Sequence, residues 1–583
     1  MMTLLRRMPP SLALCACCAL SVWAAKETPP PKPAEEDSGA MFIDTVNVSV
    51  VNVDVYVTDK KGNRVMGLTK EDFEILESKR PVAITNFSVI ESGALTRQDP
   101  PLPPEEVEPA APSDLPPGVT LVREPEAPPL PEDQRLHLLV YIDNFNLQPF
   151  SRNRVMRELR DFLRTKIRKH DRVMLVSYDR ELHVRRPWTT DAASVASALQ
   201  DLETVSGMAL SRISDRRDAL ERIDESESPQ GAESYATLYA ENVFNDLNFS
   251  LDALREVVNG LAGIPGRKAV VYVSEGLPMI AGQDLYYAAQ QKFAEAVNMT
   301  DSFRFDMSRR FQELTAAANA NRVTFYTIDA GGLRSMGLGD ASVQNSAKGN
   351  YLGTSTMIEQ INIQNNQSTL QMMAEETGGK AIINANRITD ALGQLSSDFD
   401  NFYSLGYVPA HYGDGRYYEL EVKVKGRKDL VVRHREGYRD KPLSAQMSDG
   451  TMAALMHGFE SNRLGIKLEF GAAERSKDDK YLVPVNVSIP LGRVTLVPSE
   501  TTHVARLRLF VAALDSDGGT SEVQEQELPI TIPNAEVEKA KKQWYLYSVK
   551  LLMRDGAHRV SIGMRDDVSA ETSFVTSQLT VGR

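Results

Sequence analysis

The stretch that most restricts what this chain can fold into is Leu138-Leu-Val-Tyr-Ile-Asp143. An unbroken apolar run stops on a carboxylate, and Asn144, Phe145 and Asn146 follow before helix-like sequence begins near Ser151. Apolar residues without polar alternation read as a strand buried on both faces, as in a parallel sheet covered by helices. Such sheets bind ligands at the carboxyl ends of their strands. Asp143 lies at one such end. Lys268-Ala-Val-Val-Tyr-Val-Ser-Glu-Gly276 repeats the design with Glu275 at its tip, and Val323-Thr-Phe-Tyr-Thr-Ile328 runs out at Asp329.

The 583 residues are enough for several domains. The net charge of −13 argues against nucleic acid as a partner. Arg6 and Arg7 precede an apolar segment, Ser11–Trp23, which exits through Ala24 and Ala25. Basic, then apolar, then small is the pattern of a secretory signal. The segment is shorter than the roughly 20 residues that span a bilayer, and no later stretch reaches that length. A secreted or periplasmic protein without a transmembrane segment is expected. All 3 cysteines, Cys15, Cys17 and Cys18, lie in the signal. Lipoprotein anchoring there is the weaker reading, because Leu14-Cys15-Ala16-Cys17 matches a lipidation box poorly. Without these thiols the mature chain holds neither disulfides nor thiolate metal sites.

Composition and periodicity divide the chain. Residues 1–25 are the signal, and 26–40 are a Pro-, Lys- and Glu-rich tether. Residues 41–95 form an N-terminal antiparallel β unit, in which Val51, Val53, Val55 and Val57 share one face before the turn Asp59-Lys60-Lys61-Gly62. Residues 96–134 are a Pro/Glu-rich linker. Residues 135–401 alternate strand and helix in a doubly wound α/β domain. Its first helix buries Val155, Met156, Leu159, Phe162 and Leu163, while Arg152, Arg154, Arg157, Arg160 and Arg164 read as its solvated face. Three strands follow at 402–440, then a connector at 441–464. Short strands with regular turn signals at 465–583 read as a C-terminal β-sandwich. The small sheet at 46–92 is marginal alone, so the strands at 402–440 are expected to complete it, with the α/β domain inserted between them. Extension of the α/β sheet is the alternative.

Val140-Tyr-Ile-Asp143 and Val271-Tyr-Val-Ser-Glu-Gly276 resemble a von Willebrand factor type A domain. Val55-Tyr-Val-Thr-Asp-Lys-Lys-Gly62, Gly67-Leu-Thr-Lys-Glu-Asp-Phe73, Trp188-Thr-Thr-Asp191, Leu405-Gly-Tyr-Val-Pro409 and Arg435-Glu-Gly-Tyr438 resemble the bacterial secreted VWFA-related family common in acidobacteria. The resemblance covers most of the mature chain to about residue 440. It implies a metal-ion-dependent adhesion site whose first loop reads Asp-x-Ser-x-Ser. Here Asp143 is followed by Phe145 and Leu147 at the serine positions, and neither supplies the oxygen that a hard cation needs. Glu275 stands where the later Asp belongs. The site is therefore read as degenerate: no cofactor is expected, and Mg²⁺ or Mn²⁺ on Asp143 and Glu275, helped by Asn144 or Asn146, is the alternative. The motif's threonine has two candidates in the right connection, Ser234 and Thr237. Thr189 and Thr190 read better as helix caps.

Without a cation, Asp143 and Glu275 would cap neighbouring helix N-termini, and Phe145 and Leu147 would pack beneath the loop. Two long connections, 203–235 and 330–366, emerge at the same end of the sheet and read as an elaborated binding surface or as disorder. The candidate binding residues are Asp143, Asn144, Asn146, Ser234, Thr237, Glu275 and Asp329. The 8 histidines are dispersed, and no His-Glu-x-x-His pair, nucleophile elbow or P-loop occurs. The expectation is an exported, non-enzymatic protein that recognises a protein or glycan through the strand-tip face. An envelope scaffold with a vestigial site is the alternative, and a hydrolase a distant third.

Overall fold

The apolar runs fold as buried strands because both of their faces find helices. A computed structural model describes residues 50–99, 135–168, 170–333, 352–385, 387–476 and 480–582. The signal, its cysteines, the tether, most of the linker and residues 334–351 of the second long connection lie outside the described residues. No helix among the described residues is long and apolar enough to cross a membrane.

The N-terminal strands are β1 (Val51–Asp59), β2 (Phe73–Glu77), β3 (Arg80–Val82), β4 (Ile84–Glu91) and β5 (Ala94–Asp99). The α/β unit then runs β6 (Leu136–Asp143), α1 (Pro149–Lys166), β7 (Arg172–Tyr178), β8 (Leu182–Thr189), α2 (Ala192–Leu202), α3 (Ala209–Glu225), α4 (Pro229–Gly260) and β9 (Arg267–Ser274). It continues through α5 (Gln283–Phe293), α6 (Ser308–Ala320), β10 (Val323–Asp329), α7 (Leu352–Glu376), β11 (Ala381–Ile382) and α8 (Thr389–Asp400). The sheet order is β11-β10-β9-β6-β7-β8. Every pair is parallel except β7 with the edge strand β8. The first strand of the unit thus lies between the second and the fourth. That reversal of strand order is the crevice where doubly wound sheets bind ligands, and it falls between the tips of β6 and β9. Alternate residues of β6 serve two cores. Leu138, Val140 and Ile142 pack with α1, α2 and α8, and Leu139 and Tyr141 pack with α4, α5 and α6.

The strands at 402–440 leave the α/β sheet and pair with the N-terminal ones. They are β12 (Phe402–Tyr407), β13 (Tyr417–Val424), β14 (Leu430–Arg433) and β15 (Gly437–Arg439). β1 lies between β12 and β14, β12 also pairs with β4, and β13 pairs with β2. The two resulting sheets share one core that includes Val53, Val55, Phe73, Phe87, Leu405, Tyr407, Leu420 and Val422. This β module clasps the α/β unit through Arg267, whose guanidinium donates to Asp54 Oδ2 at 3.1 Å and to Tyr56 OH at 2.7 Å. The connector is the helix α9 (Leu443–His457). Beyond it, one sheet built on Thr502–Asp515 and another built on Tyr481–Pro490 face a common core that includes Val485, Val487, Leu507, Leu509, Ile562 and Met564.

Three local expectations change. The connection 203–235 is not an irregular loop: it contains α3 and the first turns of α4. Pro229 opens α4 and Ser228 Oγ accepts from Gly231 N at 3.2 Å, so the helix begins before Ser234 and Thr237 rather than after them. Of the expected loop 330–366, residues from Leu352 onward are helix α7. Finally, β5 extends strand structure to Asp99, into what composition assigned to the linker.

Candidate binding site at the strand tips

Asp143 ends β6 fully buried, and its surroundings are donors rather than space. Its Oδ2 accepts from Tyr272 OH at 2.6 Å, Asn146 Nδ2 at 2.8 Å and Ser274 Oγ at 2.9 Å. Its Oδ1 accepts from Asn146 N at 3.3 Å. Tyr272 and Ser274 are alternate residues of β9, so strand geometry aims both at the neighbouring strand tip. Burial pushes the Asp143 carboxyl above its ordinary value, against the hydrogen bonds from Tyr272, Asn146 and Ser274 that favour the anion. Burial likewise pushes the Tyr272 hydroxyl well above its ordinary value, and the Asp143 charge adds to the shift. Tyr272 therefore remains a donor at any physiological pH.

The loop after Asp143 is held just as closely. Phe145 belongs to the core on one face of the sheet and Leu147 to the core on the other. Apolar residues stand at the serine positions because the loop plugs both cores. The guanidinium groups of Arg212 and Arg180 lie 4.9 and 5.3 Å from the centroid of the Phe145 ring. Asn144 Nδ2 donates to Ser206 O at 3.1 Å, and its Oδ1 accepts from Arg152. Arg152 is only 1% exposed. It also donates to Val205 O at 2.7 Å, Glu203 O at 2.8 Å and Asn153 Oδ1 at 3.0 Å. The expected solvated face of α1 thus loses Arg152, which instead ties residues 203–206 over the strand-tip loop. Burial lowers its pKa. Arg154 donates to Ala330 O at 2.7 Å, and Arg160 pairs with Glu203.

Glu275 does not join Asp143 around a shared centre. Its two oxygens accept from Gln148 N at 3.3 Å and Gln148 Nε2 at 3.0 Å. Gln148 is the N-cap of α1, so Glu275 satisfies an orphan donor at the positive end of that helix. Asp329 accepts from Gly331 N at 2.9 Å and from Gln367 Nε2 of α7 at 2.8 Å. Ser234 and Thr237 lie on α4, outside this cluster. Ser234 Oγ donates to Gln230 O at 2.7 Å, and Thr237 Oγ1 contacts Tyr286 OH at 2.9 Å. The structure therefore gathers Asp143, Asn146, Tyr272 and Ser274 in one network and gives Asn144 to Ser206 and Arg152 instead. It sets Glu275 and Asp329 at adjacent tips and removes Ser234 and Thr237.

These residues do not fit the divalent cation that the type A resemblance implies. One carboxylate oxygen already takes three donors, Phe145 and Leu147 bring no oxygen, and Glu275 is engaged with Gln148. Such a carboxylate is stabilised by oriented neutral dipoles.

The rim above this closed centre is apolar and exposed. Phe150 in the first turn of α1 is 80% exposed, and Leu210 in the first turn of α3 is 62% exposed. Met208, Leu333 and Met357 are also exposed. They belong to segments that begin or end at the carboxyl edge of the sheet. Sequence reading missed Arg152, Tyr272 and this rim. One signal was available: an arginine in the first turn of a helix opposes the helix dipole and needs a specific acceptor.

No protein-family model and no curated protein matches the chain. Similar solved structures include one described as an aerotolerance-related membrane protein from Bacteroides fragilis. It is 12% identical, with coverage of 46% of this chain and 98% of that one, at a TM-score of 0.23. A conserved hypothetical protein BatB from Bacteroides thetaiotaomicron is 11% identical, with coverage of 46% and 96%, at 0.20. The manganese-loaded TRAP protein of Plasmodium vivax is 11% identical, with coverage of 52% and 94%, at 0.21.

Proposed function

We propose that this chain is an exported, non-enzymatic binding protein, and that a type A-like α/β domain presents the apolar rim of its strand-tip face to a protein partner. The observation that carries the reading is that large apolar side chains stand exposed at this edge, on α1, on α3 and in the segment after β10. Exposed apolar clusters on an otherwise well-buried domain mark interaction sites. A protein is favoured over a glycan because the rim is mainly aliphatic, with Phe150 as its one aromatic ring among the residues named. The basic and apolar pattern of residues 1–25 supports export. The acceptors at the strand tips are engaged by internal donors, and this supports binding over catalysis. The two sheets after α9 are read as a β-sandwich.

A scaffold role is the second reading. It is favoured by the edge strand Trp544–Met553, which pairs only with Tyr481–Pro490 among the described residues and leaves Trp544, Leu546 and Leu552 exposed. Affinity capture from the native envelope separates the two. The double variant Phe150→Ser/Leu210→Ser is expected to lose the captured partner, while Leu546→Ser retains it. The opposite pattern would transfer the contact surface to the C-terminal module.

A further inference from the structure

A second cluster of ligating side chains lies in the β module, away from the strand tips. His411 and Asp414 come from the loop between β12 and β13, and Asp440 directly follows β15. One ligand atom from each lies within 4.8 Å of the other two. His411 Nδ1 is 2.8 Å from Asp440 Oδ2, and Asp414 N donates to the same oxygen at 3.4 Å. The other imidazole nitrogen, Nε2, is 3.3 Å from Glu77 Oε2 at the end of β2. Glu77 is itself fixed, because Oε1 accepts from Tyr407 OH at 2.5 Å and from Tyr438 OH at 2.7 Å. The ring of Tyr418 stacks on the His411 ring at 3.6 Å, within 6° of parallel, and locks the plane of the imidazole. Gly413 and Gly415, both at positive φ, make the turn that presents Asp414 to solvent.

Both ring nitrogens of His411 therefore face carboxylate oxygens. A neutral imidazole has only one N–H. Tyr438 OH, 3.4 Å from Nε2, already donates to Glu77, so one of the two carboxylate contacts would set lone pair against lone pair unless a second proton or a metal ion occupies it. Three carboxylates surround this ring, and Glu77 and Asp440 are buried. Asp414 Oδ1 accepts from Arg416 N at 2.9 Å and its Oδ2 from Tyr418 OH, and the largely exposed Arg416 guanidinium approaches it at 4.0 Å. The arrangement matches a metal-ligating histidine whose other N–H is oriented by a second carboxylate.

We propose that His411 Nδ1, Asp440 and Asp414 form a divalent metal site, with Glu77 orienting His411 from behind and one position open to solvent. A nitrogen ligand and few oxygens favour a borderline ion such as Zn²⁺ over Mg²⁺ or Ca²⁺. Tetrahedral Zn²⁺ needs its ligand atoms roughly 3.3 Å apart, and the exposed Asp414 side chain would close the remaining distance by giving up its bond from Tyr418 OH. The ion would tie the 408–416 loop to the connector below β15.

The test is titration of the chelator-treated full chain with Zn²⁺ alone, followed by calorimetry, with Co²⁺ absorption as an independent report of ligand geometry. The expected result is one ion per chain. His411→Ala should abolish the binding. Asp414→Asn, in an exposed turn that does not threaten folding, should weaken it at least 10-fold. Glu77→Gln should weaken it 10- to 100-fold, as for other second carboxylates. No uptake by the wild type would show that a second proton, not a metal, bridges the carboxylates. Uptake unchanged in Asp414→Asn would overturn the ligand set.

Discussion

The strand-tip network and the His411 cluster both gather carboxylates around ring-bearing residues, yet they solve opposite charge problems. At the strand tips a single carboxylate, Asp143, receives donors from Tyr272, Ser274 and Asn146. Donors exceed charge, and the site closes on itself. Around His411, three carboxylates from three segments share an imidazole. Glu77 and Asp414 each accept from two donors other than the ring and Asp440 from one, so fewer donors serve each charge than at Asp143, and one member, Asp414, opens to solvent. Whether a cluster of carboxylates needs a cation is thus decided by the balance of donors to charge around it. Position at a motif's usual place does not decide it.

The largest expected effect breaks the first half of this contrast. Asp143→Ala would leave three buried donors without an acceptor and is expected to cost about 3–5 kcal/mol in denaturant unfolding. A loss below about 1 kcal/mol would mean that the network is not holding the loop. Next is Arg152→Met, which keeps the bulk but removes the guanidinium that ties 203–206 to Asn144. A loss of about 2–3 kcal/mol is expected, read by the same unfolding curve. Removing the exposed rim residues Phe150 or Leu210 should instead stay within about 0.5 kcal/mol, which separates the closed centre from its binding edge.

A smaller, pH-dependent effect belongs to the root of β6. Burial, with help from Lys268, Arg172 and Arg135, pushes His137 down to about 3. The folded state therefore keeps this ring neutral while the unfolded chain takes up a proton below 6.5. Its contribution to stability is complete above 6.5 and is lost as the pH falls toward 3. The first part of that loss amounts to about 2 kcal/mol between pH 6.5 and 5. His137→Phe keeps the edge contacts with Trp188 and Phe459 and should flatten unfolding free energy across that interval. An unchanged slope would assign the effect to other groups.

What could be read from the chain follows from how local the causes are. Leu138–Asp143 and Ala269–Ser274 declare buried strands because a continuous apolar run has few other uses, and their tips follow directly. The need to cover Val51, Val53 and Val55 pointed toward the strands at 402–440, which do pair there. The start of α4 was missed because Ser228-Pro229 signals a helix that the Gln- and Ser-containing sequence after it obscures. Arg152 was misassigned because helical periodicity cannot see an acceptor contributed by Glu203 and Val205. The His411 cluster was invisible for a deeper reason. Glu77, His411, Asp414 and Asp440 share no motif spacing and meet only when β2, β13 and β15 form one sheet.

The central claim is that cation chemistry in this chain belongs to the β module and not to the strand tips. Titration of Glu275→Gln and Asp414→Asn with Zn²⁺ and Mg²⁺, side by side with the wild type, tests it most directly. The account predicts that Glu275→Gln binds Zn²⁺ like the wild type, that Asp414→Asn binds it at least 10-fold more weakly, and that Mg²⁺ shifts the melting temperature of none of them. Loss of metal binding in Glu275→Gln, with Asp414→Asn unaffected, would contradict it.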